Sequence, residues 1–411
     1  MAAMLAVSGM AQIKLGKDVN LKIYGHIRTD FYYNSRDNVQ SVDGLFYSYP
    51  KDKIPDANGN DLNSGDNSNM YTVYSRMGFD FAGPLLGKAK TSAKIEFDFR
   101  GNGNDNLSAL RLRQAYFNLD WGKDKLLVGQ TSHPFFGEVS PQILNLNTGS
   151  PFQPFGRAPQ IRYRHNEGAL QLQVAAVWQS QFKSHGSTAN DGSGNSRNQA
   201  PHKNSNIPEV ALGIDYKADG WMVGVGMDML SIVPRTVAVG GDGSSYKVDE
   251  RLTTVSYEAH VKYQKGLWFC AAKSTLGANF THTSMLGGYA VKSQNVVTGE
   301  REYTPFRNTA NWINILYGKK WKPGIFIGYI KNLGTSDDMN LDNKVVYGTG
   351  INIDQLLSGT FELTYNVPHW KIGAEYNYTS AWYGINRKDG KVENTHSVGN
   401  NRLVLTAIYS F

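Results

Sequence analysis

Hydrophobic and polar residues alternate along the chain in segments of about 10–15 residues, a length that suits a tilted strand crossing a bilayer. In the first segment Leu21, Ile23 and Ile27 share one face, whereas Lys22 and Arg28 share the other. This period of two predicts β-strands, because successive side chains of a strand point to opposite faces. The pattern recurs to the last residue of the chain and therefore predicts an all-β fold.

The alternating segments number about 16, and bacterial membrane barrels have an even number of strands. A change of phase near Gln114 predicts a β-bulge in the fourth strand. We therefore expect a transmembrane antiparallel β-barrel that forms a single domain over residues 12–411. The predicted strands lie at about 21–31, 70–84, 87–101, 107–122, 124–132, 160–165, 169–182, 206–220, 221–235, 251–266, 267–280, 308–322, 324–336, 355–368, 370–383 and 401–411.

The connections between these strands alternate in length. Short connections rich in Gly, Asp and Pro are typical of tight hairpin turns; they occur at 84–87, 121–124, 166–168, 218–220, 264–266 and 322–324. Long polar connections are predicted at 38–69, 133–159, 183–205, 236–250, 281–307, 337–354 and 384–400. Tight turns at one end and long loops at the other are the arrangement of outer-membrane barrels.

The connection at about 133–159 is the third on the long-loop side, after 38–69 and a short one near 101–106, and it differs from the others in composition. It contains few charges, namely one acid, Glu138, and the basic Arg157. Its large apolar residues are Phe135, Phe136, Ile143, Leu144, Leu146, Phe152 and Phe155. A loop exposed to water would not favour that composition. We therefore expect this loop to fold inward and pack against the barrel wall.

The order of these elements resembles that of the trimeric 16-stranded general porins of Gram-negative outer membranes. Hairpins come first, and an inward third loop and an arginine-bearing sixth strand follow. The segment Gln130-Thr-Ser-His-Pro-Phe-Phe-Gly137 looks closest to porins of the Bacteroidota. The segment-specific likeness covers residues 107–165 and 401–411, and the rest of the chain is similar in pattern. The resemblance implies a water-filled pore for passive diffusion of small hydrophilic solutes, a homotrimer, and contact with lipid and lipopolysaccharide. It implies no cofactor, no bound metal, no catalysis and no nucleic-acid partner.

The resemblance also implies a constriction in which the third loop faces a ladder of basic residues. By motif, Arg113 and either Arg162 or Arg164 are the ladder members, and the strand alternation independently turns Arg28, Arg76 and Arg111 inward. With Glu138 opposed by Arg157, we expect a positive opening and a mild anion preference, because charged rings set ion preference in pores. The alternative is a neutral wall, in which these arginines pair with Asp30, Asp80, Glu96 and Asp98.

The chain ends on a strand in which Leu403, Leu405, Ala407, Tyr409 and Phe411 share one face. An ordinary edge strand would be the simpler interpretation, but the preceding strands favour pairing of the last strand with the first. In outer-membrane barrels such an aromatic end resembles the signal read by the barrel-insertion machinery. Tyr409 and Phe411 are therefore predicted to serve assembly rather than transport.

The composition narrows the alternatives. The sequence has no apolar run long enough for a helical membrane span, which requires about 18 residues. The single cysteine, Cys270, excludes an internal disulfide. The net charge of +7 is dispersed along the strands rather than gathered in a nucleic-acid-binding run. Residues 1–11 look like the end of a secretory signal peptide.

Two other functions remain open from the sequence. A substrate-selective channel for sugars, oligosaccharides or organic acids would suit the aromatic residues Tyr24, Tyr74 and Trp312. A barrel enzyme or a surface adhesin is less favoured, since neither a Gly-x-Ser-x-Gly nor a His-Glu-x-x-His motif occurs. In the first loop, Asp56, Asn58, Asn60 and Asp61 are spaced like part of a calcium loop, but the glycine is misplaced and no acid falls at the closing position. A polar loop is the favoured interpretation there.

Overall fold

The computed structural model describes residues 13–101, 104, 106–189, 191–340 and 345–411. Its described residues form a closed antiparallel barrel of 16 strands, which confirms the predicted fold class. The predicted signal peptide lies outside the described residues. The first eight barrel strands are β1 (Val19–Asn34), β2 (Asn67–Tyr71 and Arg76–Leu86), β3 (Ala89–Asp98), β4 (Arg111–Asp120), β5 (Asp124–Ser132), β6 (Arg157–Glu167), β7 (Leu170–Val177) and β8 (Glu209–Ala218). The others are β9 (Trp221–Ile232), β10 (Leu252–Lys265), β11 (Trp268–Ala278), β12 (Arg301–Tyr317), β13 (Trp321–Thr335), β14 (Ile353–Val367), β15 (Trp370–Asn386) and β16 (Val392–Ser410).

The barrel closes where β1 pairs with β16, in the register that sets Phe31 opposite Leu405. Gly25 and Phe411 extend this seam by exchanging two main-chain hydrogen bonds of 3.1 Å. A Cβ at position 25 would lie 2.8 Å from the Phe411 ring, so the glycine leaves the space that the terminal ring occupies. Closure gives the main-chain groups of both terminal strands partners inside the sheet, as a membrane interior requires.

The alternation of side chains follows the predicted pattern, with apolar residues outside and polar residues inside. On β16, Leu405 is 44% exposed to the barrel exterior, whereas Arg402 is 1% exposed. Tryptophan and tyrosine pairs lie outside at the rim that carries the tight turns, with ring centroids 4.6–5.1 Å apart: Trp221–Tyr263, Trp268–Tyr317, Trp321–Tyr365 and Trp370–Tyr409. These pairs form the aromatic girdle expected at one membrane interface.

The bulge in β4 is present. Gln114 pairs with Glu96 and Leu112 pairs with Phe97, so Arg113 is the extra residue between two register positions. The bulge lets Arg113 and Gln114, which are adjacent in sequence, both face inward, where both donate hydrogen bonds to Glu96. It therefore accounts for the phase change that the sequence shows at this point.

The predicted long loop at 384–400 is wrong. β15 and β16 remain paired as far as Asn386 and Val392, and the connection is a tight turn closed by the hydrogen bond from Arg387 N to Lys391 O. The strands continue beyond the apolar band, where polar residues no longer alternate with apolar ones: residues 393–397 of β16 are exposed at five consecutive positions. For the same reason β12 begins at Arg301, within the predicted loop 281–307.

Short strands and turns lie at the end of the barrel that carries the long loops. Two-stranded hairpins pair Asn38–Ser41 with Phe46–Pro50, His185–Gly186 with Ser196–Arg197, and Val237–Val239 with Ser245–Lys247. Gly287–Gln294 pairs with β12 and with Val346–Thr349, and a helix and a 3-10 turn span Ala200–Ser205 and Thr281–Thr283. Ile13–Leu15 pairs with β1 at the opposite end. Among the described residues, no helix combines the length and the hydrophobicity that a bilayer crossing requires.

Candidate pore constriction

The connection between β5 and β6, residues 133–156, is named loop 3. Its two ends meet at a hydrogen bond of 2.9 Å from His133 N to Gly156 O. Between them the loop enters the barrel, and its apolar side chains, including Phe135, Leu144 and Phe152, are buried. The inward fold is as predicted, and burial of these side chains is its physical cause.

Loop 3 is fixed to the opposite wall by polar groups of several strands. Lys262 of β10 donates to the carbonyl of Glu138 at 3.0 Å. Trp312 of β12 donates its indole N–H to Gln153 at 2.7 Å, and Lys322 of β13 donates to the Gln142 side chain at 2.9 Å. The loop therefore follows the inner surface of the wall instead of extending freely into the lumen.

The far turn of loop 3 is held by two acids and an arginine. The main-chain N–H of Leu144 donates to Glu375 at 2.6 Å and to Glu362 at 2.9 Å, and Asn145 N donates to Glu375 at 3.0 Å. Arg28 of β1 donates to the Leu144 carbonyl at 2.7 Å. Four hydrogen bonds from β1, β14 and β15 converge on two neighbouring residues, so this end of the loop is firmly anchored.

Four of the predicted constriction arginines are paired with carboxylates of the barrel wall. Arg111 lies beside Asp98, and Arg113 bridges Asp98 at 2.9 Å and Glu96 at 2.7 Å. Arg76 approaches Glu96 at 3.8 Å, and Arg28 contacts Asp30 at 2.8 Å. For these arginines the structure matches the neutral-wall alternative.

Arg157 and Arg162 are placed differently. Arg157, which the sequence assigned to the loop, is the first residue of β6 and donates to Gln181 at 3.3 Å. Arg162 donates to Gln160 at 2.9 Å and to the Ser132 carbonyl at 2.6 Å. Within the described parts of the chain, no carboxylate forms a salt bridge with either guanidinium. Both arginines are buried, so their charge adds to the positive potential of the lumen.

Glu138 is the acid at the start of loop 3. Its carboxylate contacts Arg164 at 3.4 Å and Lys217 at 3.0 Å. Burial alone would raise the pKa of Glu138, but nearby positive charges, of which Lys217 contributes most, lower this pKa to about 2. Glu138 is therefore ionised at neutral pH, and basic groups on β6 and β8 surround it.

The aromatic residues that could have formed a sugar-binding surface are mostly engaged in the wall. Trp312 is 4% exposed beneath loop 3, and Tyr74 is buried beside Arg100. Tyr24 donates its hydroxyl to Glu96 at 2.9 Å and accepts from Lys94 at 3.0 Å. The expectation of a lumenal aromatic surface near Trp312 is wrong, because loop 3 covers that residue.

Sequence reasoning missed the residues that anchor loop 3. Glu362, Glu375, Lys262 and Lys322 were visible as charged residues at inward positions of strands. Which wall residue meets which loop residue depends on the course of loop 3, and strand periodicity carries no information on that course.

In the first loop, Asp56 accepts main-chain hydrogen bonds from Asn58 at 2.7 Å and Asn60 at 2.8 Å, so its carboxylate organises a local turn.

A sequence model of the family described as DcaP outer membrane protein matches residues 11–200, just under half of the chain. No curated protein matches the sequence. The outer membrane channel DcaP of Acinetobacter baumannii is 18% identical, with a TM-score of 0.69 over 98% of this chain and 100% of that chain. The trimer form of OmpT of Vibrio cholerae is 11% identical, with a TM-score of 0.55 over 96% and 100% of the two chains. The anion-selective porin from Comamonas acidovorans is 10% identical, with a TM-score of 0.53 over the same shares.

At these identities the structural likeness establishes the fold. Together with the family match, it confirms the predicted resemblance to porins and the predicted class, a barrel of the Gram-negative outer membrane. The finer resemblance to porins of the Bacteroidota stays a prediction.

Proposed function

We propose that the chain forms a water-filled pore through which small hydrophilic solutes and ions diffuse passively, with a mild preference for anions. The observation that carries the proposal is loop 3, which is anchored inside the barrel by both of its ends and by the wall. A loop held within a wide barrel sets its narrowest cross-section, so the charges beside the loop decide which ions pass.

The anion preference rests on the charges that loop 3 and β6 bring together. Arg157 and Arg162 are buried beside amide and carbonyl oxygens, which leave their positive charge unneutralised. Glu138, the acid of loop 3, is matched by both Arg164 and Lys217. The local excess of positive charge attracts anions and repels cations.

The test is the reversal potential of single channels in a planar bilayer with a potassium chloride gradient. We expect a reversal potential of the sign that chloride permeation produces, and a smaller value for Arg162→Gln. The matched control is Arg387→Gln, which removes an exposed arginine in the turn between β15 and β16. A wild-type pore that prefers potassium contradicts the anion preference, and the absence of any conductance contradicts the pore itself.

A substrate-selective channel is the second candidate function, and the structure favours organic acids over sugars for it. Trp312 is covered by loop 3, whereas Arg76 and Arg164 remain about a quarter exposed at the lumen surface. Liposome swelling with sugars and with dicarboxylates of matched size distinguishes the two functions. Uptake that depends on size alone supports passive diffusion, and a preference for acids at equal size supports the selective channel.

We also propose that the chain assembles as a homotrimer. The support is the fold shared with OmpT of Vibrio cholerae, of which a trimer form has been described. Light scattering of the detergent-solubilised protein should give the mass of three chains, and conductance should rise in groups of three equal steps. A monomeric mass with single conductance steps would contradict the proposal.

We assign no catalytic residues to the chain. The proteins of similar fold are described as channels and porins. Hydrolysis of phospholipid by the purified barrel that persists when the lumen is blocked would contradict this assignment.

A further inference from the structure

Three buried side chains from distant parts of the chain converge at the neck of loop 3. His133 is the first residue of loop 3, Glu209 is the first residue of β8, and His282 lies in the 3-10 turn between β11 and β12. They are 2%, 0% and 4% exposed. The Nε2 atoms of His133 and His282 lie 2.9 Å and 2.7 Å from the same oxygen of Glu209.

The surroundings of this cluster hold polar atoms that lack a hydrogen-bond donor in the described protein. The second oxygen of Glu209 and both oxygens of Asp228 are buried and accept no hydrogen bond from an N–H or hydroxyl group of the described protein, and the two carboxyl groups lie within hydrogen-bond reach of each other. Asp228 is 1% exposed, and its nearer oxygen lies 3.8 Å from His133 Nε2. A buried carboxylate without a donor is costly and two adjacent carboxylates repel each other, so a cation bound between them would stabilise the cluster.

We propose that His133, Glu209 and His282, with Asp228 as the fourth donor, bind a divalent transition-metal ion of the zinc class. The donor atoms of the first three residues all lie within 4.8 Å of one another. Two imidazoles and two carboxylates match the nitrogen and oxygen donors of a four-coordinate zinc site. A divalent cation between two carboxylates gives a neutral buried site and satisfies the oxygens that otherwise lack a donor.

Binding has a consequence for the start of loop 3. A metal on Nε2 of His133 requires the ring proton on Nδ1, which accepts a 3.2 Å hydrogen bond from Phe135 N–H in this structure. That hydrogen bond must open when the metal binds, so the first turn of loop 3 shifts. The metal would then link the neck of loop 3, the turn at His282 and the end of β8, and its role would be structural.

The experiment measures zinc bound to the full-length, untagged, folded protein after stripping with a chelator, incubation with Zn²⁺ and gel filtration. We expect about one zinc ion per chain for the wild type, as for a structural site. In His282→Gln and Glu209→Gln the affinity should fall at least about tenfold, because each variant loses a ligand. The matched control is His185→Gln, which changes a buried loop histidine that bonds to Asn195 instead.

A second measurement uses Co²⁺ in place of zinc on the wild type, so it does not depend on the folding of any variant. The visible absorption of four-coordinate cobalt supports the site, and the weak spectrum of hydrated cobalt contradicts it. Folded wild-type protein that retains far less than one zinc per chain overturns the proposal. So does stoichiometric zinc that persists in folded His282→Gln and Glu209→Gln, because the ion then lies elsewhere.

Discussion

Arg111 and Arg113 show how neighbouring guanidinium groups can be buried in a barrel wall. Asp98 accepts hydrogen bonds from both arginines, and Glu96 accepts a further hydrogen bond from Arg113. The sequence predicted that these arginines face inward, because the period of a strand fixes the face of each residue. Their partners lie on the adjacent strand, and the bulge at Arg113 sets the pairing register. The choice between a charged and a neutral wall could therefore not be made from strand alternation alone.

Asp98→Asn is expected to destabilise the barrel strongly. The substitution leaves two buried guanidinium groups short of negative charge, and breaking a buried ion pair from one side costs about 3–5 kcal/mol. Unfolding of the detergent-solubilised barrel in urea or guanidinium measures the loss of stability. The matched control is Asp80→Asn, whose partly exposed pair with Lys94 contributes at most about 1 kcal/mol. Equal effects of the two variants would contradict this assignment.

Glu138→Gln is expected to increase the anion preference of the pore. The amide leaves Arg164 and Lys217 without the carboxylate they share, so the potential beside loop 3 becomes more positive. Reversal potentials in a salt gradient measure the change. Glu167→Gln is the control, because Glu167 pairs with Lys123 at the exposed tight-turn rim. An unchanged reversal potential in Glu138→Gln would place the selective charges elsewhere.

The low pKa of Glu138 determines the pH range over which its carboxylate is ionised. Burial would raise the pKa of Glu138, but nearby positive charges, of which Lys217 contributes most, lower it to about 2, so the carboxylate stays ionised as the pH falls from 7 to 4. The stability from its ion pairs is present above the ordinary carboxyl pKa and is lost only as the pH falls through about 2. Over pH 4 to 7, Glu138 should therefore not alter the selectivity of the wild type. A change in that range that Glu138→Gln abolishes would contradict this prediction.

Among the elements, the strands that cross the membrane were predicted well and the parts beyond the membrane were not. Lipid on one face and water on the other impose a period of two, so every predicted crossing has a strand in the structure. The extension of β15 and β16 to Asn386 and Val392 lies beyond this constraint, and its polar residues look like a loop. Loop 3 was predicted to fold inward because it is apolar, but its anchors come from strands far away in sequence.

Glu375→Gln is expected to loosen the far turn of loop 3. Glu375 accepts the main-chain N–H groups of Leu144 and Asn145, and an amide offers one acceptor oxygen in place of the two of a carboxylate. Single-channel recordings should show more open-channel noise than the wild type at unchanged yield of folded barrel. Glu302→Gln is the control. Glu302 lies in the exposed part of β12 and accepts a hydrogen bond from the Ser293 hydroxyl. Noise that rises equally in both variants would contradict the anchoring role.

At the scale of the whole molecule, the barrel depends on its two ends. β1 pairs with β16, and Phe411 completes the seam against Gly25. Tyr409 stacks beside Trp370 in the aromatic girdle at the tight-turn rim. The predicted assembly role of both aromatic residues thus coincides with a structural position at the closure point, far from loop 3.

Deletion of Phe411 is expected to lower the yield of folded barrel in the membrane and to leave the conductance of assembled channels unchanged. The deletion removes the last hydrogen-bonded residue of the seam, whereas the constriction lies inside the barrel. Heat-modifiable electrophoretic mobility measures folding, and bilayer recordings measure conductance. Phe411→Tyr, which keeps an aromatic end, is the control. Normal assembly of the deletion variant would refute the assignment.

The seam also determines when folding can be completed. Thr406 donates to Asp30 across 376 residues of sequence, so the hydrogen bonds that close the barrel join some of the most distant parts of the chain. Contacts of such long range are slow to form, because the chain entropy lost in bringing the ends together is not recovered until they meet. Until then the outer edges of β1 and β16 carry unpaired main-chain groups that lipid cannot satisfy. We therefore expect closure of the seam to accompany insertion, because an open barrel in the bilayer would leave these main-chain groups unpaired.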